Sequence, residues 1–271
     1  DIGRSEAPNY EGAASAETVA EEIRTLGGNA VADSHSVATE EGANAIVETA
    51  IRTFGSVDIL INNAGISIAA PFDEMSSKDT QRHIDINLMG SVWMCRAVWP
   101  HMCEKRYGRI VNTGSGAFAG MWALAIYGAS KGGIFSLTRG LAAEGKAFGI
   151  KANTVHPGAF TRMLLAQQDD SSPMYQQAQQ SLPAELSSPA VAFLAHENCP
   201  VSGECFDSMG GIVRRVYVAQ SEGIADTDLT IETVAARWHD IMGNPQDTVV
   251  GPGEVDTTQW SIRPYEPSSR S

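Results

Sequence analysis

Val57-Asp58-Ile59-Leu60-Ile61-Asn62-Asn63-Ala64-Gly65 is the stretch that decides the fold. Its apolar run reads as a buried strand, and Asn-Asn-Ala-Gly reads as a tight turn at the strand's end. The pattern recurs twice. Arg109-Ile110-Val111-Asn112-Thr113 runs into Gly114-Ser115, and Ala152-Asn153-Thr154-Val155-His156 is closed by Pro157-Gly158. Helical patterns separate these strands. Thr39 to Phe54 sets Ala43, Ile46, Val47, Ala50 and Ile51 on one face, and further helices are predicted over 77–105 and 126–147. Strand alternating with helix predicts an α/β chain: a doubly wound parallel sheet in three layers, with helices on both faces.

Outward from this centre the reading continues in both directions. Ser15 to Leu26 is an amphipathic helix stopped by Gly27-Gly28, followed by a short strand at Ala30-Val31-Ala32. Beyond Gly158, residues 159–186 mix Phe160, Met163, Leu164, Leu165, Met174 and Tyr175 with Gln, Asp and Ser, which predicts a loop with short helices over a site. Pro189 to His196 is a helix introduced by Ser187-Ser188-Pro189. Cys205-Phe206-Asp207 before Gly210-Gly211 is the expected last strand of the sheet, with a further strand at 213–219 and a helix at 231–242. The expected organisation is one domain over 1–243 and an irregular tail over 244–271.

Chemistry concentrates in Tyr127-Gly-Ala-Ser-Lys131. Residues four apart on a helix share a face, so the Lys131 ammonium reaches the Tyr127 ring. A nearby cation favours phenolate, which predicts a lowered phenol pKa and a usable general acid/base.

Lys and Arg number 19 against 32 Asp and Glu, a net charge of −13. Such a surface repels nucleic acid and anionic membranes, so neither is an expected partner. No apolar stretch approaches the length of a membrane span. The four cysteines, Cys95, Cys103, Cys199 and Cys205, contain no C-x-x-C, and reduced thiols in the cytoplasm are the expectation. Cys95 and Cys103 with His101, or Cys199 and Cys205 with His196, lack a fourth ligand at ordinary spacing, so no metal site is expected.

In the order and spacing of Asn62-Asn63-Ala64-Gly65, Asn87, Ser115, Tyr127, Lys131 and Pro157-Gly158, the chain resembles the short-chain dehydrogenase/reductase family, from Asp1 to about Gly211. The resemblance implies a Rossmann-like fold and hydride transfer between a nicotinamide and a secondary alcohol or ketone. It gives Tyr127 the role of proton donor or acceptor at the substrate oxygen. Lys131 would hold the nicotinamide ribose, Ser115 the substrate oxygen, and Asn87 a water linking Lys131 to solvent. For the cofactor it implies Asn63, Ala64 and Gly65 beside the adenosine ribose, Ser36 and Val37 beside the adenine, and Pro157, Gly158 and Thr161 at the carboxamide end.

Family members open with a strand, a glycine-rich turn, a helix and a second strand. Asp1-Ile2-Gly3 reads as the end of that second strand, so the first β-α-β portion is expected to be missing from this chain. An acidic residue there accepts from ribose hydroxyls and repels a 2′-phosphate, which favours NAD over NADP. Phe118, Met121 and Trp122, with the apolar residues of 160–175, suggest a hydrophobic pocket. Thr161-Arg162-Met163, the Asn9-Tyr10-Glu11-Gly12 insertion and the added C-terminal segment most resemble the dehydrogenase unit of peroxisomal multifunctional β-oxidation enzymes and their bacterial relatives. That likeness implies a 3-hydroxyacyl-CoA or a hydroxysteroid as substrate. Helices 77–105 and 126–147 are the faces such proteins pair, so a homodimer or homotetramer is expected. Two other readings use the same residues: a catalytically silent subunit acting through oligomerisation, and an epimerase or dehydratase.

Overall fold

The structure, a computed structural model, describes residues 16–161, 163, 180–243 and 248–249. Asp1, the insertion at 9–12, Arg162, the stretch 164–179 and all of the tail except 248–249 lie outside the described residues.

Local signals set the helix boundaries. Helix α1 spans Ala16–Thr25 and α2 spans Glu40–Phe54. The Thr39 side chain accepts from the Gly42 amide at the start of α2, and Gly55, at φ 85°, closes its end. Strand β1 is Ile59–Asn62. The long helical pattern is α3, Ser77–His83, a π-helical turn over Ile84–Met89, and α4, Gly90–Lys105. Strand β2, Gly108–Thr113, leads to α5, Ala125–Gly145, then β3, Ile150–Gly158, and α6, Ser188–Ala195. Strands β4, Cys205–Met209, and β5, Ile212–Val216, complete the sheet.

The sheet runs β1-β2-β3-β4-β5, with the first four strands parallel and β5 antiparallel. The sheet is therefore mixed rather than wholly parallel. Gly210 and Gly211, at φ 56° and 80°, make the two-residue left-handed turn that folds β5 back on β4. Two further expectations change. Ala30–Ala32 forms no strand, because a strand needs a hydrogen-bonded neighbour and none pairs with it among the described residues. Strand β1 is not buried throughout: Leu60 is inward, whereas Ile59 and Ile61 are nearly half exposed at the edge of the described sheet.

Alternation across the sheet sends successive side chains into separate cores. On one face Ile110, Ile150 and Ala152 pack with Ala43 and Val47 of α2, Met94, Val98 and Met102 of α4, and Ala142 of α5. On the other, Val111 and Val155 pack with Leu194, Ala195 and Cys199. Helices thus cover both faces, giving the three-layered Rossmann-like α/β fold.

Two compact units divide at Val216 and Tyr217. In the second, β6, Ala219–Gln220, pairs antiparallel with β7, Thr248–Val249. The helix expected over 231–242 is two short ones, α7, Ile231–Ala236, and α8, Trp238–Met242. Neither holds a buried residue, so no packing sustains a longer helix there.

Candidate active site

The parallel strands bring their C-terminal ends to one edge of the sheet, the place where open α/β sheets form crevices. There β1 delivers Asn63, Ala64 and Gly65, β2 delivers Ser115, and β3 ends in Pro157 and Gly158. Helix α5 begins just beyond, so Tyr127 lies in its first turn and Lys131 in the next.

The side chains meet as the spacing predicts. The Ser115 hydroxyl faces the Tyr127 phenol closely enough to favour its charged form. Lys131 Nζ lies 5.7 Å from the Tyr127 ring centroid and donates to the Thr113 carbonyl at 2.7 Å. Asn87 is fully buried in the π-helical turn. Its Oδ1 accepts from the Ile66 amide at 2.8 Å, and its Nδ2 donates to the Ile66 carbonyl at 3.0 Å and to Ser130 Oγ at 3.2 Å. Gly65 faces both groups: a Cβ there would stand 3.1 Å from Asn87 Oδ1 and 3.7 Å from Lys131 Nζ. Only glycine keeps that space open to a bound group.

Burial governs the electrostatics. It pushes the Tyr127 phenol above its ordinary value, with the Ser115 hydroxyl pulling back. It also lowers Lys131 from 10.5 to about 8. The expectation that Lys131 lowers the phenol is therefore corrected for this state of the site. The ammonium is itself 3 % exposed and turned to the Thr113 carbonyl, so desolvation outweighs its pull on the ring. Both groups favour their uncharged forms, which suits a proton donor and a neighbour able to give up its own proton near pH 8.

Other predicted residues sit as follows. Asn63 Oδ1 accepts from Thr113 Oγ1 at 3.3 Å, tying the ends of β1 and β2 together. Ser36 Oγ accepts from the Ala38 amide, while the Val37 side chain packs inward over Gly90. His35 bonds Asp33 at 2.9 Å. Pro157 and Gly158 pair with Ser208 and Met209 of β4, and Thr161 is exposed just beyond. Asp1 lies outside the described residues.

Sequence reasoning missed three residues. Ser130 is buried and donates to the Tyr127 carbonyl at 2.7 Å, and its place inside Tyr127–Lys131 was the available signal. Thr113 contributes a backbone carbonyl, which no side-chain pattern reveals. His83, one turn before Asn87, is fully buried with its ring edge-on to Tyr127, centroids 6.2 Å apart. His156, read as a packed strand residue, is buried against Phe118 and bonded to Asp207 at 3.0 Å.

This arrangement is a proton-handling tyrosine beside a hydroxyl donor and a buried lysine, at the mouth of a Rossmann-like sheet. Residues 9–172 match the family model for short chain dehydrogenase, and the chain belongs to the short-chain dehydrogenase family of oxidoreductases. A short-chain type dehydrogenase/reductase of Mycobacterium tuberculosis is 37% identical over 243 residues, 89% of this chain and 83% of that protein. Peroxisomal multifunctional enzyme A of Dictyostelium discoideum is 35% identical over 89% of this chain and 53% of its own. An acetoacetyl-CoA reductase of an Acinetobacter strain is 36% identical over 178 residues, 64% of this chain and 72% of that protein. Among solved structures, full-length peroxisomal multifunctional enzyme type 2 of Drosophila melanogaster superposes with TM-score 0.74 at 27% identity, over 91% of this chain and 43% of its own. A metagenomic blue fluorescent protein in complex with NADPH gives 0.64 at 32% identity, over 72% and 81% of the two chains. The chain spans about half the length of the two multifunctional enzymes.

The family uses a nicotinamide cofactor, and the residues present fit its nicotinamide end. Gly65 leaves open the space between Asn87 and Lys131, and the Lys131 ammonium has donor capacity beyond Thr113.

Proposed function

We propose that this chain transfers hydride between NAD and a hydrophobic secondary alcohol or its ketone, with a 3-hydroxyacyl-CoA as the substrate class. One observation carries the reading: Tyr127 faces Ser115 and packs beside buried Lys131, at the C-terminal edge of the sheet. The acetoacetyl-CoA reductase among the relatives supports an acyl-CoA over a hydroxysteroid.

NAD would accept or supply the hydride. Asn63, Ala64, Gly65, Pro157, Gly158 and Thr161 would hold and orient it, with Ser36 and Val37 toward the adenine. In carbonyl reduction the Tyr127 phenol, protonated because it is buried, gives its proton to the substrate oxygen. Ser115 donates a second hydrogen bond to that oxygen and fixes its place. Lys131 holds the ribose and returns the proton to Tyr127, with Asn87 keeping the backbone at Ile66 fixed beside it. Alcohol oxidation runs the same path backwards and needs the phenolate, so its rate rises with pH while that of reduction falls. The preference for NAD rests on the acidic Asp1, against the NADPH held by one solved relative. The same reading makes the chain a cytoplasmic homodimer or homotetramer paired through the helical stretches 77–105 and 126–147.

The test is NADH formation from NAD and a medium-chain 3-hydroxyacyl-CoA. Turnover abolished by Tyr127→Phe, with dinucleotide quenching of Trp fluorescence retained, supports the reading. A higher kcat/KM with NADP overturns the choice of cofactor, and product without net NADH marks an epimerase or dehydratase. Dinucleotide binding absent from a protein that co-purifies with a complete relative marks a silent subunit.

A further inference from the structure

The strand-to-helix segment after Gly65 is held from one side at alternate residues. Ile66 is clamped at both its amide and its carbonyl by Asn87. The Ala70 amide donates to the Ala123 carbonyl at 2.9 Å. Midway between them, the Ile68 amide donates to His83 Nε2 at 3.1 Å.

His83 is fully buried, and its other ring nitrogen, Nδ1, lies 2.8 Å from the Asp79 carbonyl. A carbonyl can only accept, so Nδ1 carries the hydrogen. An amide can only donate, so Nε2 carries none. The two contacts therefore assign one neutral tautomer. They also lock the ring plane, and the edge of that ring packs T-shaped on Tyr127. His83 and Asn87 are four residues apart, at the end of α3 and in the π-helical turn, and both reach the same segment.

We propose that His83 is a positioning residue for Tyr127: a neutral imidazole brace that spans the 66–70 segment and the catalytic phenol. The inference rests on the dehydrogenase reading for its consequence, though the brace itself is a matter of geometry. Its ring edge excludes water from one side of the phenol, and its acceptor nitrogen holds the segment that the ring packs under. Losing either function moves Tyr127 relative to the substrate oxygen without touching the residues that would hold dinucleotide.

Two variants separate the functions. His83→Gln keeps an acceptor for the Ile68 amide and loses the ring. His83→Phe keeps the ring edge and leaves that amide without a partner. With NAD and a medium-chain 3-hydroxyacyl-CoA, His83→Phe should lower kcat about tenfold. Dinucleotide quenching should stay within about twofold of the parent. His83→Gln should keep more of kcat but move the rising limb of its pH profile to lower pH, because water now reaches the phenol. Nitrogen NMR of the unaltered protein should show hydrogen on Nδ1 of His83 and none on Nε2. Hydrogen exchange at the Ile68 amide should quicken in His83→Phe and not in His83→Gln.

Hydrogen on Nε2 in the unaltered protein overturns the brace, whether or not the variants fold. So do parental kcat and pH profile in both variants. Tyr127→Phe run alongside separates the two ideas. If it is inactive while both His83 variants behave as the parent, only the brace falls. If it retains turnover, the dehydrogenase reading falls, and Ile68 exchange with the imidazole NMR still decides the geometry.

Discussion

Strand β2 is two different materials along its length. In its lower half, Ile110 and Val111 are fully buried and point into separate apolar cores on opposite faces of the sheet. Two and three residues further, Asn112 and Thr113 are held by directional bonds. Asn112 accepts from Asn62 and donates to Thr138, and the Thr113 carbonyl holds Lys131. Burial is as complete for Asn112 as for Ile110, at 0 % exposure. Contact in the lower half is non-directional and tolerates exchange of one apolar group for another. In the upper half each polar atom needs its own partner, and activity depends on where those partners put a hydroxyl.

The sharpest way to separate the halves is Tyr127→Phe. It should lower kcat by about 10³-fold while leaving the urea midpoint near the parent value; a large loss of stability would show that the upper half also holds the fold together. Ile110→Ala is the converse. It should cost about 2–5 kcal/mol in urea unfolding, with kcat per folded molecule unchanged.

Lys131→Met tests whether catalytic placement opposes stability. The Lys131 pKa falls from 10.5 unfolded to about 8 folded, so the native protein sheds that proton first, and stability tied to the group is low below pH 8 and recovers as pH rises toward 10.5. At pH 7 the Met variant should be inactive yet more stable by about 1–2 kcal/mol, once the lost Thr113 hydrogen bond is set against the relieved burial. That advantage should shrink in thermal melts at higher pH. Smallest of all, Trp122→Ala alters a side chain that is 87% exposed. It should change stability by less than about 0.5 kcal/mol and show itself as a raised KM for a hydrophobic substrate.

The same division explains what could be read from residues alone. Tyr127 and Lys131 were legible because helical spacing places them together without help from the rest of the chain. Ser115 and Asn63–Gly65 were legible because each follows an apolar run that can only be a strand. Direction and pairing were not. Ala30–Ala32 has strand composition, but a strand exists only beside another, and that neighbour is not written locally. The reversal into β5 depended on both Gly210 and Gly211 taking left-handed conformations. His83 was hidden for a related reason: its partners, Ile68 and Tyr127, come from 15 residues before it and from a different helix.

The π-helical turn at Ile84–Met89 has one more consequence. There the Gly90 amide bonds back to the Asp85 carbonyl, five residues away, so the winding carries a surplus residue compared with ordinary helix. Because the surplus is absorbed within the turn, excising one amino acid there would restore regular winding with α3 and α4 still in place, and the change would fall on the Asn87 side of the site and not on the imidazole. A single codon deletion there thus separates the two clamps on the 66–70 segment, disturbing Asn87 while His83 keeps its hold on Ile68.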